Sequence, residues 1–230
     1  MITKLKTWVA NRSRHQRSLL LRSQLAPTPT TRILDLGGGK GRHFGKYYPD
    51  LKAVCIADFN AEALAYARDT YGFDTIQVDG KDDLPFEDKA FDMVFCSSVV
   101  EHVTGEKLAA VERFKRDGRA FKNVAWKAQQ KFAAEVRRIA KAYYVQTPSR
   151  WFPVEVHSWI PLIGALPTNM QWRVIQVFNR FWPRKDESPD WSLLGFDEMR
   201  ELFPDAIIHR ERMFGLTKSY IAIRPAAPSL

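Results

Sequence analysis

The chain has 230 residues, of which 45% are hydrophobic and 27% charged, and its formal net charge is +9. This length and apolar content exclude a disordered chain and indicate a single domain, 1–230, with elaborated ends. No apolar run approaches the roughly 18 residues of a membrane-spanning helix, the basic N-terminus lacks the apolar stretch of a secretory signal, and both cysteines lie inside apolar runs, so we expect a cytoplasmic protein with reduced core thiols.

The first segment, residues 1–27, predicts a helix followed by a break. Leu5, Trp8 and residues 19–21 form an imperfect apolar face among basic residues, and two prolines, Pro27 and Pro29, end the segment. A helix of this kind either covers a ligand site or lies on a membrane surface, so peripheral membrane contact through the basic N-terminus is one hypothesis.

Residues 28–150 alternate short apolar runs with helical segments, which is the pattern of a doubly wound parallel sheet. The expected strands lie at 32–36, 53–57, 75–78, 91–96 and 142–146, and the expected helices at 41–48, 61–71 and 106–140, the last divided near Gly105 and Gly118. Because such sheets bind ligands at the carboxyl ends of their strands, we expect the binding site in the loops that follow the strands.

The last third of the chain changes character. Residues 151–200 are rich in proline and aromatic residues, with an irregular loop at 147–153, and we expect them to form an inserted helical lid over the substrate. Residues 201–230 predict two strands, 206–210 and 219–223, around a turn at 213–216. The expected fold is therefore α/β: a doubly wound, mostly parallel seven-stranded sheet of Rossmann-like form with a terminal antiparallel pair, an N-terminal helix and an aromatic lid.

A glycine-rich segment, Asp35-Leu36-Gly37-Gly38-Gly39-Lys40-Gly41, follows the first strand and leads into a helix. A strand, a glycine loop and a helix in this order bring backbone N–H groups against a nucleotide-like ligand. The spacing is not that of a dinucleotide site, because the third glycine of that pattern falls at Arg42. The loop also lacks the Gly-Lys-Ser/Thr ending of a phosphate-binding P-loop.

The glycine loop resembles the first motif of class I S-adenosylmethionine-dependent methyltransferases, and more narrowly those with a type 11 methyltransferase domain. Three further segments resemble that family in sequence and spacing: Asp58-Phe59, Asp79-Gly80 and the stretch from Ser97 to His102. The resemblance implies S-adenosylmethionine as the cofactor. It further implies that the adenosine ribose lies at Asp58, the adenine at Asp79, and the methionine end beside the segment after strand four.

The carboxylate of Asp58 suits this role, since an ionised acceptor binds both hydroxyls of a ribose well. The cofactor-binding residues implied by the resemblance are Asp35, Gly37, Gly38, Gly39, Gly41, Asp58, Phe59, Asp79, Gly80, Ser97, Ser98 and His102.

Methyl transfer from a sulfonium has a good neutral leaving group, so alignment and exclusion of water supply much of the catalysis. A general base is needed only when the acceptor must lose a proton. His102 and His157 are the catalytic candidates because imidazole titrates near neutrality, with Glu155 placed to orient His157. An ordinary structural role is the competing interpretation of each histidine. Glu101 and His102 alone are too few ligands to predict a metal site.

Three hypotheses for the function follow. The first is methyl transfer to a small-molecule, sugar or lipid-like acceptor, amphiphilic if the lid aromatics line an apolar pocket; those aromatics suit the lid's own core equally well. The second is an RNA or protein methyltransferase that holds a polyanion on the two basic tracts, at 4–32 and 113–141. Nucleic acid is the less favoured partner, since the sequence has neither an Asn/Asp-Pro-Pro-Tyr/Phe tetrapeptide nor a Pro-Cys nucleophile. The third is an inactive methyltransferase-like subunit that acts through a partner or a membrane surface.

Overall fold

The computed structural model of the protein describes residues 2–79, 83–154, 160–181 and 190–227, with backbone alone for residues 2–10. The described strands form one sheet in the order β3-β2-β1-β4-β5-β7-β6. In chain order they are β1 (Ile33–Leu36), β2 (Val54–Asp58), β3 (Asp74–Gln77), β4 (Phe91–Ser97), β5 (Ala140–Pro148), β6 (Ile207–Met213) and β7 (Leu216–Arg224).

The helices flank this sheet and precede it. In chain order they are α1 (Ile2–Leu25), α2 (Arg42–Tyr47), α3 (Ala61–Tyr71), α4 (Lys107–Arg116), α5 (Gly118–Ile139), α6 (Thr168–Asn179) and α7 (Phe196–Leu202). Two short 3-10 turns lie at Val100–His102 and Ile163–Ala165. Among the helices of the described segments, none is long and apolar enough to cross a bilayer.

The sheet confirms the predicted fold class. Strands β1 to β5 run parallel, while β7 is antiparallel to both of its neighbours, β5 and β6. A hairpin at Phe214 and Gly215, both with positive φ, turns the chain back so that β7 runs antiparallel along β6. The other edge of β7 pairs with β5, so β7 lies between β5 and β6. The predicted terminal antiparallel pair is therefore present, and it carries the last two strands of the sheet.

Local signals in the sequence explain where two of the helices begin and end. The side chain of Asn60 accepts a hydrogen bond from Ala63 N at the start of α3, and Gly72, with φ of 70°, ends it. The predicted long helix is divided at Asp117, whose carboxylate accepts hydrogen bonds from the backbone N–H groups of Arg119 and Ala120. The helix is therefore divided next to Gly118, as the sequence predicted, and Asp117 is the residue that caps the start of α5.

Two apolar layers cover the two faces of the sheet. One packs Leu21 of α1 with Phe44 and Tyr48 against residues of β1 and β2. The other packs α5 and α7 against β4 and β5, and includes the buried thiol of Cys96. These layers fix the strand ends, so the loops that follow the strands are held on a rigid support.

Strand β5 is longer than predicted, and helix α7 has no counterpart in the sequence prediction. The irregular loop was expected to start at 147, but Thr147 and Pro148 continue the strand by pairing with Tyr220 and Ser219 of β7. The proline is tolerated at the end of the strand, where no further N–H is needed. Helix α7 has seven residues, too few for a clear helical period.

Candidate cofactor and acceptor site

The glycine loop is held in place at the end of β1. Its first backbone N–H, at Gly37, donates to Ala57 O at 2.7 Å, and Gly41 N donates to Gly38 O at 3.0 Å. Gly37 and Gly41 have φ of 76° and 64°, values that favour glycine. A Cβ at Gly37 would overlap the side chain of Val99, and one at Gly38 would overlap the carboxylate of Asp35. The loop therefore requires glycine both for its conformation and for its close approach to neighbours.

Asp35 lies beneath this loop and is almost completely buried. Burial, with a smaller contribution from the charge of Asp58, raises the pKa of Asp35 to about 8. Its Oδ2 atom has no hydrogen-bond partner among the residues that the structure describes. This side chain thus supports the loop from below and is largely protonated at neutral pH.

Asp58 joins the end of β2 to the glycine loop. Its Oδ2 accepts a hydrogen bond from Gly39 N at 2.9 Å, and its Oδ1 accepts one from Asn60 N, also at 2.9 Å. Each carboxylate oxygen has a second lone pair, so these bonds orient the group without exhausting its capacity. The predicted ribose-binding carboxylate is therefore fixed next to the loop with which it was expected to act.

A cleft of about 660 Å³ opens beyond the ends of β2 and β3. The exposed ring of Phe59 lines it on one side, and Val78 with the exposed Asp79 lines it on the other. Gln77 donates from Nε2 to Phe59 O at 3.0 Å and so connects the two strand ends. The structure brings Phe59 and Asp79 to one cleft as predicted, whereas Gly80 lies outside the described residues.

Ser97 and Ser98 end β4 and face a buried glutamine that the sequence did not single out. The side-chain oxygen of Gln146 accepts hydrogen bonds from Ser97 Oγ at 2.6 Å and Ser98 Oγ at 3.2 Å. Ser98 adopts a φ of 58°, which the bond from its N–H to Gln146 O at 2.9 Å maintains. The expected methionine end of the site is therefore held by β5 as well as by β4.

The same glutamine oxygen accepts a third bond, at 2.8 Å, from Arg17 of α1. Arg17 also donates two hydrogen bonds to Glu211 of β6, at 2.7 and 3.0 Å, and one to Ser219 of β7 at 3.0 Å. The N-terminal helix thus reaches the end of the site through one side chain. A signal for this was present in the sequence: Ser13, Arg17 and Leu21 are four residues apart and share one helix face.

Glu101 and His102 sit on the 3-10 turn after β4. Glu101 is buried and accepts a hydrogen bond from Thr147 Oγ1 at 2.9 Å, while Ser192 N donates to Glu101 O at 2.7 Å. His102 Nδ1 lies 3.1 Å from Asp190 Oδ1. The predicted catalytic histidine therefore contacts the chain that returns from the lid.

Asp190 remains ionised in this contact. Its burial opposes ionisation, but the hydrogen bond with His102 and the positive charge of Lys107 outweigh that effect, so the pKa of Asp190 is below its ordinary value. Thr104 Oγ1 adds a bond to Asp190 O at 3.0 Å. The other catalytic candidate, His157, and its predicted partner Glu155 lie outside the described residues.

The aromatic segment after β5 forms a small core of its own. Trp191 packs with Ile160, Ile163 and Ile175. Trp172 packs against Phe114 and Phe121, in a separate cluster that connects α6 to α4 and α5. Of the two interpretations of these aromatic residues, Trp172 and Trp191 follow the lid-core one, whereas Trp151 is exposed. Trp159 and Trp182 lie outside the described residues.

Most of the basic tract 113–141 is engaged in ion pairs on the protein's own surface. Of its ten lysines and arginines, six lie within 4 Å of a carboxylate in the part of the chain that the structure describes: Lys115 and Arg116 with Glu112, Lys131 with Asp83, Arg137 with Asp205, Arg138 with Glu135 and Asp88, and Lys141 with Asp92. Much of the positive potential of the tract is thereby compensated locally.

Comparison with known proteins finds one family model and several solved structures that are similar to this chain. Residues 34–142 match the sequence model of a family described as a methyltransferase domain. No curated protein sequence matches the chain significantly.

Solved structures are similar to the whole chain. Magnesium protoporphyrin IX methyltransferase of Synechocystis PCC 6803 shares 12% identity, with a TM-score of 0.53 over 93% of this chain and 82% of that one. A SAM-dependent methyltransferase from Aquifex aeolicus shares 14%, with a TM-score of 0.52 over 96% of both chains. The PH0226 protein of Pyrococcus horikoshii OT3 shares 14%, with a TM-score of 0.50 over 95% and 91%. At such identities the likeness shows a common fold.

Proposed function

We propose that the chain is a class I S-adenosylmethionine-dependent methyltransferase, and that it transfers the methyl group of that cofactor to a small amphiphilic or lipid-like acceptor; the methyltransferase-domain model that matches residues 34–142 supports the first part. S-adenosylmethionine supplies a methyl group on a positively charged sulfur, which departs as a neutral thioether. Because that leaving group is good, the chain's own contribution is to bind, to align and to exclude water.

The observation that carries the cofactor site is the contact between Asp58 and the glycine loop. A carboxylate fixed by Gly39 N beside a glycine-rich turn is a preorganised acceptor for ribose hydroxyls. The neighbouring cleft, with the ring of Phe59 and the carboxylate of Asp79, suits a flat base with an exocyclic amino group. Ser97 and Ser98 are proposed to border the amino-acid end.

His102 is proposed to accept the acceptor's proton where the acceptor is a hydroxyl or a protonated amine. Its contact with Asp190 fixes the orientation of the ring, as a carboxylate does for the histidine of other general bases. His157 is retained as the second candidate for this role. Glu101, buried beside Thr147, is proposed to hold the floor of the acceptor site.

The segment after β5 supports an amphiphilic acceptor. Buried Ser149 follows the end of β5, and the next aromatic side chain, Trp151, is exposed. Further along, the described part of the lid presents another large apolar side chain, Leu162, to solvent. An acceptor with an apolar portion finds matching surface here, whereas a sugar alone does not.

The polyanion hypothesis has less support. A nucleic-acid site needs unpaired cations along a continuous face, since affinity depends on phosphate neutralisation. Six of the ten basic residues of tract 113–141 already have carboxylate partners. We therefore favour the small acceptor over RNA or an acidic protein.

A labelling experiment tests the proposal. Purified protein is incubated with methyl-labelled S-adenosylmethionine and a cell extract, which is then separated into lipid, small polar, RNA and protein fractions. We expect label in the lipid fraction, and none with Asp58→Ala. Label in RNA or protein would overturn the acceptor class. Calorimetric binding of the cofactor without any transfer would instead support the inactive-subunit hypothesis.

A further inference from the structure

Helix α6 carries two apolar faces, and among the described residues only one of them is fully packed. Its inner face buries Thr168, Gln171 and Ile175 against the lid core and α4. A second face carries Met170, Val177 and Phe178, which are exposed to solvent. A single-sided surface helix presents polar residues to water, so this second face needs an explanation.

These side chains and two neighbours form one stripe. Met170, Val174, Val177, Phe178 and Phe181 are spaced by three or four residues, so they lie along one side of the helix; Val174, in the middle, is only partly exposed because it also packs against the lid core. The turn continues past the helix end, since Phe181 N donates to Phe178 O at 3.1 Å. Phe178 is 45% exposed and Phe181 82% exposed. We call these five residues the α6 stripe.

The charged side chains of helix α6 and of its C-cap are both positive. Arg173 and Arg180 are both exposed and lie on the flank of the helix next to the stripe. The sequence from 160 to 181 contains no aspartate or glutamate. An apolar stripe with aromatic residues and an arginine flank is the surface of a helix that lies in the interface of an anionic bilayer.

We propose that the α6 stripe binds the surface of a membrane that contains anionic phospholipids. Met170, Val177, Phe178 and Phe181 enter the boundary between headgroups and acyl chains, while Arg173 and Arg180 contact lipid phosphates. A groove on another protein would also accept the apolar stripe. The flank without any acidic residue favours a uniformly negative partner, which an anionic bilayer is and most protein surfaces are not. This surface is separate from the glycine loop, and its binding does not require the proposed methyl transfer.

Vesicle sedimentation of the full chain, without cofactor or acceptor, tests this proposal. The probes are vesicles of phosphatidylcholine alone and of phosphatidylcholine with about one-third phosphatidylglycerol, a composition that gives a negative surface potential. We expect binding to the anionic vesicles, and a loss of more than about ten-fold in Phe178→Glu/Phe181→Glu, because burial of each phenylalanine contributes at least one factor of ten. Arg173→Glu/Arg180→Glu is expected to lose the preference for anionic vesicles.

The matched control lies on the β6–β7 hairpin, at the far edge of the sheet. Phe214 is 90% exposed and Arg212 is also exposed, so Arg212→Glu/Phe214→Glu makes the same chemical changes elsewhere. We expect this variant to bind as the wild type does, and all variants to keep the wild-type melting temperature.

Three results would overturn the proposal. The first is wild-type protein that stays in the supernatant with anionic vesicles. The second is equal loss of binding in the α6 and hairpin variants. The third is binding that survives the α6 variants and disappears in Lys4→Glu/Lys6→Glu, which would assign the membrane contact to the N-terminal helix. Sedimentation velocity without vesicles tests whether the stripe instead binds a second copy of the protein. If the wild type binds no vesicles but forms a dimer, and Phe178→Glu/Phe181→Glu dissociates that dimer, the stripe is a protein interface.

Discussion

Arg17 of helix α1 and Gln146 of strand β5 are joined by a hydrogen bond of 2.8 Å between the guanidinium and the side-chain oxygen. That oxygen also receives the hydroxyls of Ser97 and Ser98, at the strand end proposed to border the cofactor. One amide oxygen therefore connects the first helix of the chain to the ligand-facing end of the sheet. We therefore expect that replacing Arg17 in helix α1 changes the affinity of the proposed site for its cofactor.

Replacing Arg17 tests this connection. Arg17→Met leaves the mostly buried Glu211 without its closest cation and Gln146 without one donor. Breaking such a pair by removing one partner costs about 3 kcal/mol. We expect that loss in the free energy of unfolding measured with urea at pH 7, together with weaker cofactor binding by calorimetry. Arg14→Met, at an exposed position one turn away, is the control and should change neither quantity.

The pH dependence of the same variant has a defined sign. Burial alone would raise the pKa of Glu211, but the charges of Arg17 and Lys218 outweigh it and hold that pKa below its ordinary value. A carboxylate with a lowered pKa stabilises the fold above its unfolded-state pKa and loses this contribution as the pH falls through the folded one. The stability difference between wild type and Arg17→Met should therefore shrink as the pH falls below about 4. A difference that is constant with pH would contradict the ionic explanation.

The raised pKa of Asp35 predicts the opposite dependence of stability on pH. Burial first, and then the charge of Asp58, raises its pKa to about 8, so the folded protein binds a proton that the unfolded chain has released above pH 4. Stability should fall as the pH rises from 4 to 8, by on the order of 1 kcal/mol per pH unit. Urea unfolding across this range should show that slope in the wild type and lose it in Asp35→Asn. An unchanged slope in the variant would assign the trend to other groups.

Two glycines with nearly the same backbone conformation allow the cost of backbone strain to be measured separately from the cost of a steric clash. Gly37 and Gly215 have φ of 76° and 79°, but a Cβ at Gly37 would overlap Val99 while one at Gly215 meets nothing within 4 Å. Alanine at either position should cost about 1 kcal/mol for the left-handed conformation. Gly37→Ala should cost more and should weaken cofactor binding, whereas Gly215→Ala should not. The double variant Gly37→Ala/Val99→Ala should recover part of the excess; no recovery would mean that Val99 is not the obstacle.

Asp58→Asn tests the proposed ribose contact. The amide has almost the same shape, but it removes the negative acceptor that Gly39 N and Asn60 N now orient. Hydrogen bonds to a charged acceptor contribute about 1.5–3 kcal/mol, so the dissociation constant for S-adenosylhomocysteine should rise by roughly ten-fold to a hundred-fold. Calorimetry measures this, with Asp69→Asn on the exposed side of α3 as the control. Equal affinity in wild type and Asp58→Asn would remove Asp58 from the cofactor site.

His102→Asn distinguishes proton transfer from structural support. Asparagine can still donate to Asp190, but it cannot act as a base. We expect cofactor affinity to stay near the wild-type value and kcat to fall by about 100-fold or more, as is typical for loss of a general base. If Asp190→Asn and His102→Asn weaken cofactor binding to the same extent, His102 holds the returning chain and does not take the proton.

The sheet was predictable because its strands carry local signals. Apolar runs such as Val54–Asp58 end at carboxylates or glycines, and their alternation with helices fixes the parallel order. The extension of β5 through Thr147 and Pro148 was not predictable, since it depends on pairing with β7, whose residues are more than 70 positions away. Long-range pairing of this kind leaves no trace in a short window.

The candidate site was likewise predictable where its residues follow the strands directly, and was not predictable where it depends on distant partners. Asp35, the glycine loop, Asp58 and Asp79 occupy successive strand ends, where a motif spaced along the chain becomes a motif in space. Gln146 and Arg17 were missed because each acts through partners on distant elements. Arg17 in particular stands among several basic residues; its position on the same helix face as Ser13 and Leu21 was the only signal in the sequence, and its role became visible through its contacts with Glu211 and Gln146.

The separation of Arg17 from Glu211, 194 positions along the chain, also has a consequence during synthesis. A ribosome that adds about 5–20 residues per second needs roughly 10–40 s to make the second partner after the first. Over that interval the guanidinium of Arg17 lacks its carboxylate partner, although the apolar face around Leu21 can already pack against Phe44 and Tyr48. The bonds from Arg17 to Glu211 and Ser219 thus form late, after the five parallel strands have been synthesised, and until then β5 and the first helix have no link to the terminal strand pair through this side chain.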